Sequence, residues 1–189
     1  MSWFRRSSRP TAADLLRRLW RCAGCGSLHE GLFDLAAFAP DPWFGGEQQE
    51  PNAAVRLSGN FLSEDFCVME GRHFFVRAVL DIPVHGFAEK FGFGCWSTLS
   101  RDNFEKYLDG FDDGGYADLG PWSGWLCNRL ADYVADQPEA VWVHPQLDRQ
   151  RPTLRIMNRE HRLAIDQDEG ISPERLLAIL AAYGHAPDA

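Results

Sequence analysis

Phe66-Cys67-Val68-Met69-Glu70-Gly71-Arg72-His73-Phe74-Phe75-Val76-Arg77-Ala78-Val79-Leu80-Asp81-Ile82-Pro83 is the stretch on which the fold turns. Phe66 and Val68 set a period of two, and Glu70-Gly71-Arg72 has the chemistry of a hairpin turn. Phe74, Val76, Ala78, Leu80 and Ile82 then alternate with Phe75, Arg77, Val79 and Asp81. Both faces of this second strand are largely apolar, which predicts a strand central in its sheet, and Pro83 should end it.

The elements on either side extend the pattern. Residues 91–99 supply another strand, with Gly92 and Gly94 marking a bulge or a close backbone approach. Ser100 is an N-cap for a helix over residues 101–110, with Phe104, Tyr107, Leu108 and Phe111 on one face and Asp112-Asp113-Gly114-Gly115 closing it. Residues 140–144 and 153–157 read as two strands, and residues 163–165 as a short third. Ser172 as N-cap with Pro173 behind it starts a final helix through about Tyr183, stopped by Gly184. Upstream, residues 11–20 predict a short helix and residues 28–33 a weak strand, while residues 34–60 are rich in Pro, Gly and polar side chains and read as a long surface loop. Strands that follow one another through short turns, with helices inserted singly, predict an α+β fold around a mostly antiparallel sheet.

With 189 residues and 45% apolar side chains the chain can build one core, and a second full domain would be cramped. The expected organisation is a basic N-terminal extension over residues 1–20, followed by a single α+β domain over residues 21–189. Charge divides the same way. Residues 1–21 hold Arg5, Arg6, Arg9, Arg17, Arg18 and Arg21 against Asp14 alone, for +5, and the remainder carries −13 within a net charge of −8. Such a body repels nucleic acid and anionic lipid, so contact with either would have to run through the arginine arm. No stretch reaches the roughly 18 uninterrupted apolar residues of a spanning helix. Five cysteines, an odd set in a chain that needs no staples, point to a reducing compartment.

Cys22-Ala23-Gly24-Cys25-Gly26 is the sharpest chemical signal. Thiolates two residues apart on a glycine turn project to one side, the geometry of half a tetrahedral zinc site. No second such pair exists, so the other ligands must come singly, and His29 with Cys67 is the favoured completion: His29 is local, and Cys67 opens the hairpin. A buried thiol pair or a redox dithiol are the alternatives. Cys95 and Cys127 lie in apolar surroundings typical of inert cysteines, and His144 and His161 lack a defined partner. Trp122 and Trp125, flanked by Gly120, Pro121 and Gly124, form either a core cap or an exposed aromatic platform for a partner. Phosphate-binding glycine loops, a nucleophile elbow and a His-Glu-x-x-His helix are all missing from the sequence.

Several segments together resemble one bacterial family, domain of unknown function 2199. They are Cys22-Ala23-Gly24-Cys25-Gly26-Ser27-Leu28-His29-Glu30-Gly31-Leu32, the run from Leu62 through Arg77, and Gly94-Cys95-Trp96-Ser97-Thr98-Leu99-Ser100. Gly124-Trp125-Leu126-Cys127, Glu160-His161-Arg162-Leu163-Ala164 and Gly170-Ile171-Ser172 complete the resemblance, which leaves the first 19 residues outside. It implies a bacterial cytoplasmic protein, and it implies that Cys22, Cys25, His29 and Cys67 belong to recurring motifs. It carries no activity.

Two functional expectations follow. The first is a non-enzymatic binding protein with a structural zinc knuckle. Its acidic body suits a basic protein partner, in the manner of an immunity or antitoxin protein. The second is a zinc-dependent hydrolase in which three protein ligands leave a coordination position for water.

Overall fold

The computed structural model describes residues 10–50, 53–111, 114–115, 117–133, 137–148 and 150–188. Arg5, Arg6 and Arg9 of the basic arm, and Asp112 and Asp113 of the expected helix stop, lie outside the described residues.

The central strand forms as the alternation predicts. β5 (Phe66–Met69) turns into β6 (His73–Pro83), which runs antiparallel to β7 (Lys90–Leu99) in unbroken register from Phe74↔Leu99 to Pro83↔Lys90. On its other side β6 is covered twice, by β5 over its first half and by β10 (Thr153–Ile156) at Val79. β4 (Phe61–Leu62) pairs with β5, and β9 (Ala140–His144) pairs antiparallel with β10 from Thr153↔His144 to Ile156↔Val141. Most pairings are antiparallel; β10 on β6 and the short β3 (Leu35–Ala36) on β7 are parallel. The protein is thus a single α+β domain.

The stretch that holds both tryptophans is strand β8 (Trp122–Trp125), paired with β9 from Trp122↔Val143 to Trp125↔Ala140. Its end returns to β7. Ser97 bridges Leu126, the Cys127 N–H donates to the Trp96 carbonyl at 2.8 Å, and the Trp125 N–H donates to Thr98 Oγ1 at 2.9 Å. The sheet therefore curls towards closure. Gly124 permits it, because a Cβ there would occupy the places of the Thr98 carbonyl oxygen and Ser97 Oγ.

Helices cover the inner face. Ser100 Oγ accepts from the Asn103 N–H to start α2 (Arg101–Asp109), which presses Phe104 against Phe66 and Phe74. Ser172 caps α4 (Pro173–Ala182), whose Leu176, Ile179 and Leu180 are buried in the same core as Val76, Ala78, Leu80 and Ile82. On the outer face Leu62, Cys67, Met69, Phe75 and Trp96 make a second apolar patch, covered by Ala37, Ala39 and Trp43. Segment 34–60 is thus no free surface loop: β3 pairs with Phe93 and Gly94, and residues beyond it roof that patch.

The N-terminal helix is shorter than its sequence suggests. α1 (Ala12–Leu16) carries a capping box between Thr11 and Asp14, and the chain is already extended in β1 (Trp20–Arg21). Leu16 and Trp20 are buried in the main core, and α1 packs beside α4.

Residues 163–165 are not a strand. They lie in α3 (Arg162–Glu169), where Leu163, Ala164, Asp166 and Gln167 are buried at helical spacing. Two of those four are polar, which hid the period. Asp166 accepts from Tyr133 Oη at 2.7 Å and from Arg162 Nε at 2.8 Å. Gln167 donates from Nε2 to the Leu154 carbonyl at 2.8 Å and accepts the Ile156 N–H on Oε1 at 3.0 Å, so its amide stands in for a strand along β10. Replacing Gln167 by Ala leaves a buried donor and acceptor unpaired and should destabilise the protein by about 2–3 kcal/mol. Urea unfolding of Gln167→Ala against wild type, with an unchanged m-value, measures it.

Candidate metal centre

β1 pairs antiparallel with β2 (Leu28–His29), in register Trp20↔His29 and Arg21↔Leu28, so the intervening six residues must reverse within one tight loop. The Cys22 N–H donates to the Ser27 carbonyl and the Gly26 N–H to the Cys22 carbonyl, each at 2.9 Å, while Arg21 Nη1 clamps the Gly26 carbonyl at 2.8 Å. Gly26 at φ 72° makes the reversal. The Cys25 N–H points to Cys22 Sγ at 3.5 Å, the amide-to-sulfur arrangement of a metal knuckle.

The C-terminus docks against this loop. Gly184, at φ 81°, turns the chain out of α4, and the His185 N–H returns to the Leu180 carbonyl at 2.8 Å. The tail then runs antiparallel to the loop: Ala23 donates to the Ala186 carbonyl, Asp188 donates to the Arg21 carbonyl, and Cys22 bridges Pro187. The approach is so close that the Gly184 carbonyl oxygen fills the place a Cβ would take on Gly24. Glycine at 24 is therefore a requirement of the docking.

That docking completes a set of four donors. Cys22 Sγ, Cys25 Sγ and one ring nitrogen each of His29 and His185 lie within 4.8 Å of one another. Cys25 Sγ is 3.3 Å from His29 Nε2, and Cys22 Sγ is 3.7 Å from His185 Nδ1. A tetrahedron with zinc-type bond lengths has sulfur–nitrogen edges of about 3.5 Å. An aromatic cage holds the imidazoles: Phe33 stacks on His29 with centroids 4.3 Å apart and meets His185 edge-on at 5.4 Å, while Trp20 lies 4.9 Å from His29. Cys22 is buried and Cys25 exposed, with both histidines between.

Of the expected ligands, Cys22, Cys25 and His29 come together and Cys67 does not join them. Cys67 sits on β5, fully buried beneath Phe75 and Trp96 on the outer face of the sheet, and burial pushes its thiol up to about 12. Its place in the donor set is taken by His185. Loop amides explain why the sequence does not reveal this: the partner comes from the far end of the chain through backbone pairing of the tail, and no spacing rule encodes that. Cys95 and Cys127 are likewise held at about 12 by burial. Cys25 moves the other way, to about 6, first through the Ser27 backbone N–H and then through the His29 side chain.

The tryptophans separate. Trp122 is buried, edge-on to Tyr107 at 6.1 Å, whereas Trp125 keeps 53% of its surface exposed. Trp142 on β9, also exposed, pairs with Ser123 and so stands diagonal to Trp125 across the two strands. His144 is pushed towards its neutral form by burial and by Arg155. No described helix is long and apolar enough to cross a membrane.

Fold and site together define an α+β protein with a Cys2His2 donor cluster between its β1–β2 loop and the tail after α4. The family profile described as an uncharacterised protein conserved in bacteria, DUF2199, matches residues 21–171, and the chain belongs to that family. No curated protein and no solved structure matches it. Three of the four donors lie inside the matched region, and His185 lies beyond it.

Because its thiolate is populated above about pH 6, Cys25 of the metal-free protein should be alkylated by iodoacetamide at a rate that rises through pH 6 and is nearly level by pH 8. Cys67, Cys95 and Cys127 should remain unmodified in the folded protein. Peptide mass spectrometry after timed quenching reads both.

Proposed function

We propose that this is a non-enzymatic binding protein whose Cys22, Cys25, His29 and His185 hold a structural zinc ion. The observation that supports the reading is the count of donors: four protein groups within 4.8 Å of one another would supply a full tetrahedral shell and leave no position for a catalytic water. Two thiolates and two imidazoles suit zinc, which needs no redox partner and accepts tetrahedral geometry without strain. A hydrolase would need one of the four to stand apart, with a base aimed at a metal-bound water. The alternative dithiol reading loses support from the same cluster, since two imidazoles beside the sulfurs serve a cation better than a disulfide.

The ion's work here is mechanical. It ties the β1–β2 loop to the tail after α4, and so fixes α1 and α4 side by side on the inner face of the sheet. Binding then falls to the rest of the surface. The protein's net charge of −8 favours a basic partner, and exposed Trp125 and Trp142 give that partner an aromatic surface on β8 and β9.

Untagged protein should carry about one zinc per chain by elemental mass spectrometry. Cys22→Ser and His185→Ala should lose most of it, and Cys67→Ser should retain it. X-ray absorption should give two sulfur and two nitrogen neighbours; a light-atom ligand exchangeable with solvent in place of one of them would favour the hydrolase and contradict the proposal. A metal-free wild type purified without chelators would contradict it as well.

A further inference from the structure

A cavity of about 440 Å³ opens where the end of β8 returns to β7, and it shares no residue with the metal cluster. Phe75, Leu126, Leu130 and Leu163 give it apolar walls, and Trp125 stands half-exposed against it. Its size is that of a small-molecule pocket.

The groups with catalytic names are already committed. The Cys127 thiol donates to the Trp125 carbonyl at 3.2 Å, and burial holds it protonated. His161 is the N-cap of α3: its Nδ1 accepts the Leu163 N–H at 3.2 Å, which turns Nε2 towards Glu139. With Nδ1 accepting the Leu163 N–H, the neutral ring keeps its proton on Nε2 and offers no lone pair for a base.

Charge decides what it binds. Both carboxylate oxygens of Asp41 are satisfied, Oδ1 by Asn128 Nδ2 at 2.9 Å and Oδ2 by the Arg129 N–H at 2.8 Å. Glu139 differs. Its side chain is only 19% exposed, and its one partner among the described residues is His161 Nε2 at 3.6 Å, beyond hydrogen-bond length. A half-buried carboxylate in an apolar wall, short of donors, is a strong acceptor awaiting one. Arg129, an exposed residue, also lines the cavity and sets one positive charge against its two carboxylates. An anion entering would meet two carboxylates against one arginine; a cation would meet Glu139 with the Trp125 indole in the same lining.

We infer that this cavity is a binding site for a small organic cation, an apolar or aromatic body ending in a protonated amine that pairs with Glu139 while its body lies against Trp125. The inference rests on the reading of the protein as a binder and is independent of the metal.

Three indoles of similar shape serve as probes: tryptamine, the neutral alcohol tryptophol and the anion indole-3-propionate. Titration calorimetry on the zinc-loaded full chain should give tryptamine a Kd below about 1 mM, with tryptophol at least about tenfold weaker and the anion weaker still. Glu139→Gln should abolish the preference for the amine, and Trp125→Ala should weaken all three together; circular dichroism checks that both variants fold. Preference for the propionate, or an unchanged tryptamine Kd in Glu139→Gln, would overturn the ligand class while leaving a binding protein. Failure of all three probes at several millimolar, with zinc still bound, would overturn the cavity as a site and leave the metal clasp standing.

Discussion

The pairing of β6 with β7 is the constraint on which the other elements depend. Its register runs the full length of both strands, from Phe74↔Leu99 to Pro83↔Lys90, and a slip of one residue would carry Val76, Ala78, Leu80 and Ile82 from the inner face to the outer. With that face fixed, α2, α3 and α4 have one surface to cover, and they cover it with Phe104, Leu163 and Ile179. The outer face needs only a small roof, because it is apolar chiefly around Phe75 and Trp96. β6 also receives β5 and β10 on one edge, so the two halves of the chain meet along a single strand.

Among the described residues, α1, the β1–β2 hairpin and the tail after α4 lie outside that sheet, and their fixation is a separate problem. α1 has only five residues, too few to be stable alone, and the tail beyond α4 has no regular structure of its own. Each supplies what the other lacks. The loop between β1 and β2 offers a backbone edge, the tail pairs with it, and the four donor side chains converge where the two meet. Under the proposed reading, a metal ion adds a strong local interaction where the loop and the tail meet outside the sheet.

Much of this architecture was legible in the sequence for a physical reason. β6 and β7 are long and strongly patterned, and the caps Ser100 and Ser172 announce α2 and α4 by side chains that can satisfy the first free amides of a helix. α3 was illegible because Asp166 and Gln167, buried and fully bonded, take places that a helical period would fill with apolar residues. β8 was illegible because Gly124 serves a close approach to β7 and reads locally as a turn. The candidate metal site divides along the same line. Cys22, Cys25 and His29 are local and visible, whereas His185 arrives by tertiary docking and Cys67, plausible by position along the chain, is turned into the outer apolar patch.

The central proposal is a metal ion that clasps the β1–β2 loop to the tail after α4. Amide hydrogen exchange at Ala23 and Asp188, whose N–H groups carry the pairing between loop and tail, tests it most directly. The account predicts strong protection of both in zinc-loaded protein, a loss of protection of at least about tenfold on chelation, and no recovery with zinc in His185→Ala, while amides of β6 stay protected throughout. Equal protection of Ala23 and Asp188 with and without metal would contradict it.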